Sequence, residues 1–164
     1  MKIMQIVGYK NSGKTTVAKR LIELLSMKSV RVASLKHHGH GGVPLGFEAT
    51  DSEEHRQAGA LIAGVEGAGV LQLSNHHAWR MEQMVAIYKL LHIEVLMMEG
   101  FKTYDYDKIV LIRDDEDLHL LEQLTHIKAV ITPLDLNQSS YAYPIFKQDG
   151  IESFNNWFIS YLKL

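Results

Sequence analysis

The apolar positions of this chain fall into short runs separated by stretches with helical spacing. Residues 3–7 form a compact apolar run. A glycine-bounded turn follows, and then Val17, Ala18, Leu21, Ile22, Leu24 and Leu25 recur every three to four residues. That order predicts a strand, a turn and an amphipathic helix. Residues 30–35 read as a second strand, whereas 36–50 hold too many glycines and histidines for regular structure. Asp51 or Thr50 offers an N-cap for a short helix through His55 and Arg56 that ends near Gly59. Residues 61–65 and 70–73 predict two strands joined by a tight Gly-rich turn, a hairpin within an otherwise parallel plan. A helix is expected over 78–91, and 93–98 is nearly continuous in apolar residues, as befits a central strand covered on both faces. Residues 109–112 and 129–131 repeat that character on either side of Leu118, Leu121 and Leu124, and 151–162 close as an aromatic-rich helix. The alternation predicts a three-layer α/β fold with a mostly parallel central sheet and an antiparallel hairpin. Ligands of such sheets sit at the carboxyl ends of the strands.

Only 3 prolines occur and no linker or repeat divides the 164 residues, so a single domain over 1–164 is expected. With 17 basic and 19 acidic residues the formal charge is -2, and no Lys/Arg block is present. That balance argues against a nucleic-acid partner, whose affinity would come from phosphate neutralisation. The absence of cysteine excludes disulfides and thiolate metal sites. No apolar stretch approaches the length of a spanning helix, so a cytoplasmic protein without a membrane partner is expected. Any anion must then be held locally.

Gly8-Tyr9-Lys10-Asn11-Ser12-Gly13-Lys14-Thr15 fits GxxxxGK(S/T) at every fixed position, directly after a predicted strand and before a predicted helix. In such a phosphate loop the glycines let successive amides point inward, and the helix adds its unpaired N–H groups and positive dipole end. Lys14 is expected to reach the terminal phosphates and the Thr15 hydroxyl to ligate magnesium, with Thr16 completing the segment. This motif narrows the prediction to the P-loop NTPase fold. It says nothing of the base. The Asn-Lys-x-Asp segment of many guanine binders is missing, and Asp135 in Thr132-Pro133-Leu134-Asp135 either pairs with a guanine edge or serves turn chemistry.

A P-loop needs an acid at the end of a neighbouring strand to hold magnesium. Glu99 follows the run 93–98 and precedes Gly100, which makes it the first candidate; Glu66, among hairpin glycines, ranks below it. Asp51 lies after the second strand, where a residue that senses the terminal phosphate or positions water is found, and the competing reading is a plain N-cap. His37, His38 and His40, with His55 downstream, suggest a zinc or nickel site, contacts to an anion or pterin, or a merely solvated polar loop; His76 and His77 read as a solvated loop. Phe154, Trp157, Phe158 and Tyr161 form a stripe that is core or, in part, a dimer contact. The acidic run 114–117 starts a helix, where the dipole favours it, and is assigned no chemistry.

Taken in order, the P-loop, Leu35-Lys36-His37, Asp51-Ser52 with Arg56 and Ala58-Gly59-Ala60, Glu99-Gly100-Phe101-Lys102 and Lys108-Ile109 resemble the molybdopterin-guanine dinucleotide biosynthesis protein B (MobB) family. The resemblance spans nearly the whole chain. It implies a GTP- and magnesium-binding protein, usually a homodimer with weak GTPase activity. Such a protein assists the guanylyltransferase MobA, which joins GMP to molybdopterin, and molybdopterin itself becomes a candidate ligand. Carried over by position, Gly8 through Thr16 bind phosphates, and Lys36 and Asp51 lie near the terminal phosphate and magnesium. Glu99 is the strand-end acid, and His37, Phe101 and Lys102 line the same mouth. The chain departs from the family in its His37-His38-Gly39-His40 order, where a second adjacent histidine pair is usual, and in Glu94, where Asp is common. Two other classes compete with the accessory reading: a histidine-rich metallochaperone GTPase and a small-molecule kinase.

Overall fold

Strand β1 (Lys2–Val7) runs into α1 (Lys14–Met27) and β2 (Val32–Lys36), as the first apolar runs predict. Next come α2 (Asp51–Gln57), the hairpin strands β3 (Ile62–Gly67) and β4 (Val70–Asn75), and α3 (Met81–Leu90). The chain continues with β5 (Val95–Glu99), β6 (Asp107–Leu111), α4 (His119–Gln123), β7 (Ile127–Ile131), β8 (Ile145–Phe146) and α5 (Ile151–Leu162). These elements come from a computed structural model that describes residues 1–39 and 50–163. His40 and the rest of 40–49 lie outside the described residues. The elements group into two compact units, Met1–His37 with Tyr88–Leu164, and His38–Ile87.

In the first unit six strands form one sheet in the order β2-β5-β1-β6-β7-β8. Every pairing is parallel, so the central sheet is parallel throughout. The predicted hairpin is a separate two-stranded sheet in the second unit rather than an insertion in the first. Side chains alternate between the faces, so each central strand feeds two cores. Met4, Ile6, Val95, Met97, Ile109 and Leu111 pack with Leu21 and Leu25 of α1 and Phe154 and Phe158 of α5. Val7, Val110, Ile112 and Val130 pack on the other face with Leu120 of α4. The aromatic stripe is therefore largely core: Phe154, Phe158 and Leu162 are buried, with Trp157 and Tyr161 stacked alongside at 5.2 Å.

Local chemistry explains where the elements stop. Helix α3 starts later than expected because the Arg80 amide donates to the Gln83 side-chain oxygen at 3.0 Å, one half of a capping box, which fixes the first turn. In the second unit the Thr50 hydroxyl accepts from the Glu53 amide at 3.3 Å, so Thr50 is the cap of α2 and Asp51 is its first helical residue. Helix α2 packs on the β3–β4 hairpin, whose Ala63 is buried while Ile62, Val65, Val70 and Leu71 stand exposed. No helix among the described residues is long and apolar enough to cross a membrane.

After β6 the acidic run folds as a 3-10 turn, Asp115–Leu118, leading into α4. Asp114 caps it by accepting from the Glu116 amide at 3.1 Å. Asp117 is buried and accepts from Arg113 Nε and Nη2, both at 2.7 Å, and from the Arg113 amide at 3.0 Å. Those hydrogen bonds hold its carboxyl below the usual carboxylate range. A carboxylate with a depressed folded-state value stabilises the fold above its unfolded value, near 4, and loses that contribution as pH falls through the folded one. Asp117→Asn is expected to lower unfolding stability at pH 7 by about 1–3 kcal/mol. The gap between variant and parent should close as denaturant titrations are taken to pH values below about 4; a gap independent of pH would contradict an ionised pair.

Candidate functional site

The loop between β1 and α1 is shaped by two glycines with different tasks. Gly13 has φ 91° and occupies the N-cap of α1 with no side-chain cap, which leaves the first-turn amides open to an outside acceptor. Gly8 matters for approach: a Cβ there would lie 2.6 Å from Ser12 Oγ and 2.8 Å from the Leu111 carbonyl oxygen. The Ser12 hydroxyl is buried and has no hydrogen-bond partner. Asn11 takes a left-handed φ of 62°, and the Ser12 amide donates to the Tyr9 carbonyl at 3.2 Å, which closes the turn. This is a cradle of backbone donors with an unsatisfied hydroxyl inside it, chemistry suited to phosphate oxygens.

Charge converges on the cradle from both sides. Lys14 Nζ donates to the Tyr9 carbonyl at 2.5 Å, so the side chain curls back over its own loop. Burial holds this ammonium below its usual range; Glu99 opposes the shift, while Lys36, Arg113 and Lys102 reinforce it. Four cations around one loop repel one another, and an arriving polyanion would relieve that repulsion. Thr15 Oγ1 donates to the Glu99 carboxylate at 2.9 and 3.0 Å, and Lys36 Nζ lies 3.0 Å from Glu99 Oε1 and 3.3 Å from Thr15 Oγ1. Hydroxyl and carboxylate oxygens side by side are the hard donors that magnesium selects. The three residues named from the sequence at this edge are thus in mutual contact.

The segment after β5 continues the mouth. Gly100 and Phe101 are both left-handed, at φ 88° and 56°, and the Phe101 carbonyl accepts from buried Gln5 Nε2 at 2.6 Å. The Phe101 ring lies 5.0 Å from the His37 ring, and the His37 amide donates to the Glu99 carbonyl at 3.0 Å. Lys102 Nζ sits 5.0 Å from the centre of the Tyr9 ring, a cation–π contact. Lys108, fully buried in β6, donates to the Tyr104 and Tyr106 carbonyls at 2.6 and 3.0 Å and so ties down the far end of this segment.

Two residues here were missed in the sequence. Arg113 lies 5.6 Å from the Tyr9 ring and donates through Nη1 to the Lys10 carbonyl at 3.2 Å, while His119 Nε2 lies 2.7 Å from the Tyr9 hydroxyl. Arg113 stands just past β6 at the same sheet edge, a position that was signal enough. Asp51 belongs to the second unit and does not cap α2 with its side chain, so the competing N-cap reading falls to Thr50. Glu66 pairs across the hairpin opposite Leu71, in the second unit. Among the described residues no cluster of three His, Cys, Asp or Glu side chains is placed to hold a metal ion. His76 and His77 are exposed and stack edge-on beyond β4.

Comparisons with known proteins follow the same lines. The sequence profile described as "Molybdopterin guanine dinucleotide synthesis protein B" (MobB) matches residues 3–133. A probable molybdopterin-guanine dinucleotide biosynthesis adapter protein of Bacillus subtilis is 38% identical, over 90% of this chain and 86% of that protein. The Escherichia coli adapter protein is 26% identical, over 93% of this chain and 90% of its own length. Among solved structures, a MobB homologue from Bacillus stearothermophilus superposes with a TM-score of 0.78 at 30% identity, covering 99% of both chains. Bacillus subtilis MobB gives 0.77 at 36% identity, covering 98% of this chain and 97% of that one. With the profile covering most of the length and the P-loop, Glu99 and the parallel sheet in place, this chain belongs to the MobB family.

Proposed function

We propose that this chain is a GTP-binding accessory protein of molybdenum cofactor biosynthesis that assists MobA in attaching GMP to molybdopterin, with slow GTP hydrolysis at most. The family places it in molybdopterin guanine dinucleotide biosynthesis. The observation that carries the nucleotide reading is the contact of Thr15, Glu99 and Lys36 beside the open cradle of α1. In this reading the residues from Gly8 to Thr16 wrap the phosphates and Lys14 leaves the Tyr9 carbonyl for the terminal phosphates. Thr15 and Glu99 hold magnesium, which when bound supplies charge neutralisation between the phosphate oxygens. Lys36, His37, Phe101 and Lys102 attend the terminal phosphate or whatever partner group meets it; a role for Asp51, in the second unit, rests on the family resemblance alone. We find no side chain in the loop poised as a base for water, which suits an accessory role.

Calorimetric titration with GTP and ATP, with and without magnesium, tests the phosphate site. Lys14→Ala is expected to weaken GTP binding by about 30-fold or more with an unchanged circular dichroism spectrum, and Glu99→Gln to blunt the magnesium dependence. Parental affinity in Lys14→Ala would remove the phosphate assignment; full magnesium dependence in Glu99→Gln would move the acid role to Asp51 or Glu66. The accessory reading is tested by single-turnover hydrolysis with and without MobA, where slow turnover is expected alone. Brisk turnover without MobA would make the chain an enzyme in its own right.

The homodimer implied by the family resemblance has a surface available in the second unit, where Ile62 and Leu71, on one face of the hairpin, are 48% and 63% exposed. Sedimentation velocity on Ile62→Lys/Leu71→Lys should report a monomer where the parent reports a dimer. A variant that stays dimeric would place the interface elsewhere.

A further inference from the structure

Strands β5 and β6 flank β1 and run parallel to it, yet only residues 100–106 connect them. The chain leaves β5 at Glu99, level with Ile6, and enters β6 at Asp107, level with Met4, so it must double back over one face of β1. It does so without a helix. Parallel crossovers ordinarily use about a dozen residues or more, and a helix that satisfies its own peptide groups. A bare strap lays its carbonyls on the sheet instead, where an unpaired one is costly.

Two polar side chains within the sheet meet those carbonyls. Gln5 of β1 and Lys108 of β6 are register partners, so they share a face, and both are fully buried. Phe101 to Tyr104 form a turn closed by the Tyr104 amide, which donates to the Phe101 carbonyl at 3.0 Å. Gln5 Nε2 is a second donor to that same carbonyl at 2.6 Å, and Lys108 Nζ donates to the Tyr104 carbonyl at 2.6 Å. The turn is thus clamped at its first and last residues, with Lys102 at its tip. From there the Lys102 ammonium stands 5.0 Å from the centre of the Tyr9 ring and acts on Lys14. Both clamps burden the core: Gln5 Oε1 has no hydrogen-bond partner among the described residues, and burial pushes the Lys108 ammonium below its usual range against the pull of Asp105 and Asp107. An apolar pair would pack here at less cost but would release the turn.

We propose that Gln5 and Lys108 are positioning residues of the phosphate site: neither touches the anion, and together they set where the Lys102 ammonium stands beside Lys14, so that it adds to the field that receives a triphosphate. The inference rests on the nucleotide reading above and deepens it. With the clamp in place, Lys102 contributes without a search for its geometry when the anion arrives. With the clamp released, the same ammonium moves out into solvent, where ionic screening weakens its pull.

The test is a double-mutant cycle read by calorimetric titration of the full chain with inorganic tripolyphosphate, and with GTP and magnesium. Lys102→Met and Lys108→Met should each weaken tripolyphosphate binding by about fivefold or more. Gln5→Leu removes a neutral donor and should cost about threefold. In the Lys102→Met background, Lys108→Met and Gln5→Leu should have no further effect, since the ammonium they place is gone. A clamp that merely stabilises the fold would give the same loss with or without Lys102, so multiplicative losses overturn the inference. Parental affinity in Lys102→Met or in Lys108→Met overturns it as well. If Lys108→Met does not fold, the Gln5→Leu arm of the cycle decides alone. Lys14→Ala separates this inference from the reading beneath it: loss of tripolyphosphate binding there, with a multiplicative cycle, removes the clamp and leaves the phosphate loop standing. If the parent binds neither tripolyphosphate nor GTP, the nucleotide reading falls and this inference with it.

Discussion

The parallel register of β2, β5 and β1 sets where the charges of this protein meet. Lys36 is the register partner of Glu99, and Glu99 in turn is the partner of Ile6, two residues before Gly8. The last residues of three strands are therefore level, and the ammonium, the carboxylate and the phosphate loop share one edge without a long side chain having to search for its partner. A shift of one residue in β5 would turn Glu99 to the opposite face and leave Lys36 beside Met98 or Gly100. Val95, Leu96, Met97 and Met98 are all buried, so it is the acids at either end of the run, Glu94 and Glu99, that a slip would carry into the core.

The cost of that arrangement is electrostatic. Lys36, Lys102 and Arg113 all press on the Lys14 ammonium, where Glu99 opposes them. Arg113 is kept from the loop's centre by its bidentate hold on buried Asp117, so it supports the Lys10 carbonyl rather than competing for an anion. Tyr9 is similarly occupied, between Lys102 and Arg113 with its hydroxyl on His119. The loop is thus braced from β6 and from the segment after β5, which limits its reorganisation when phosphate arrives. A site preorganised for charge needs less rearrangement at binding.

Much of this was legible because spacing carried it. The P-loop is a local motif, its strand and helix flank it directly, and Glu99 follows from the end of an apolar run. The five longer strands of the central sheet and the terminal helix were readable for the same reason. What failed was of another kind. Strand β8 has only two residues, Ile145–Phe146, and no pattern of period two can be seen in so short a piece. Thr50 and Asp51 are both good caps, and the choice between them depends on one dihedral that the sequence does not state. Arg113 and His119 act on Tyr9 from more than a hundred residues away, so their role exists only once β6 lies beside β1. The run 114–117 looked like dipole chemistry, and Asp114 and Asp115 fit that, yet Asp117 is a buried partner of Arg113. Hydrophobic spacing located the elements; the pairings between distant polar residues needed the fold.

Three consecutive residues of α1 show why the motif tolerates no change of spacing. Successive helical residues are turned by about 100°. Lys14 curls back over the loop, Thr15 points to Glu99 on the β5 side, and Thr16 lines a cleft on the side of β6 to β8. One turn of helix thus faces its own loop, the Glu99 edge and the opposite side of the sheet at once. Adding a residue before Lys14 would rotate all three together, and no adjustment of a single side chain could restore them. The helix itself is anchored by Leu21 and Leu25, which are fully buried about two and three turns further on and cannot rotate without leaving the core. The phase of the apolar stripe in α1 therefore determines which way the chemistry faces.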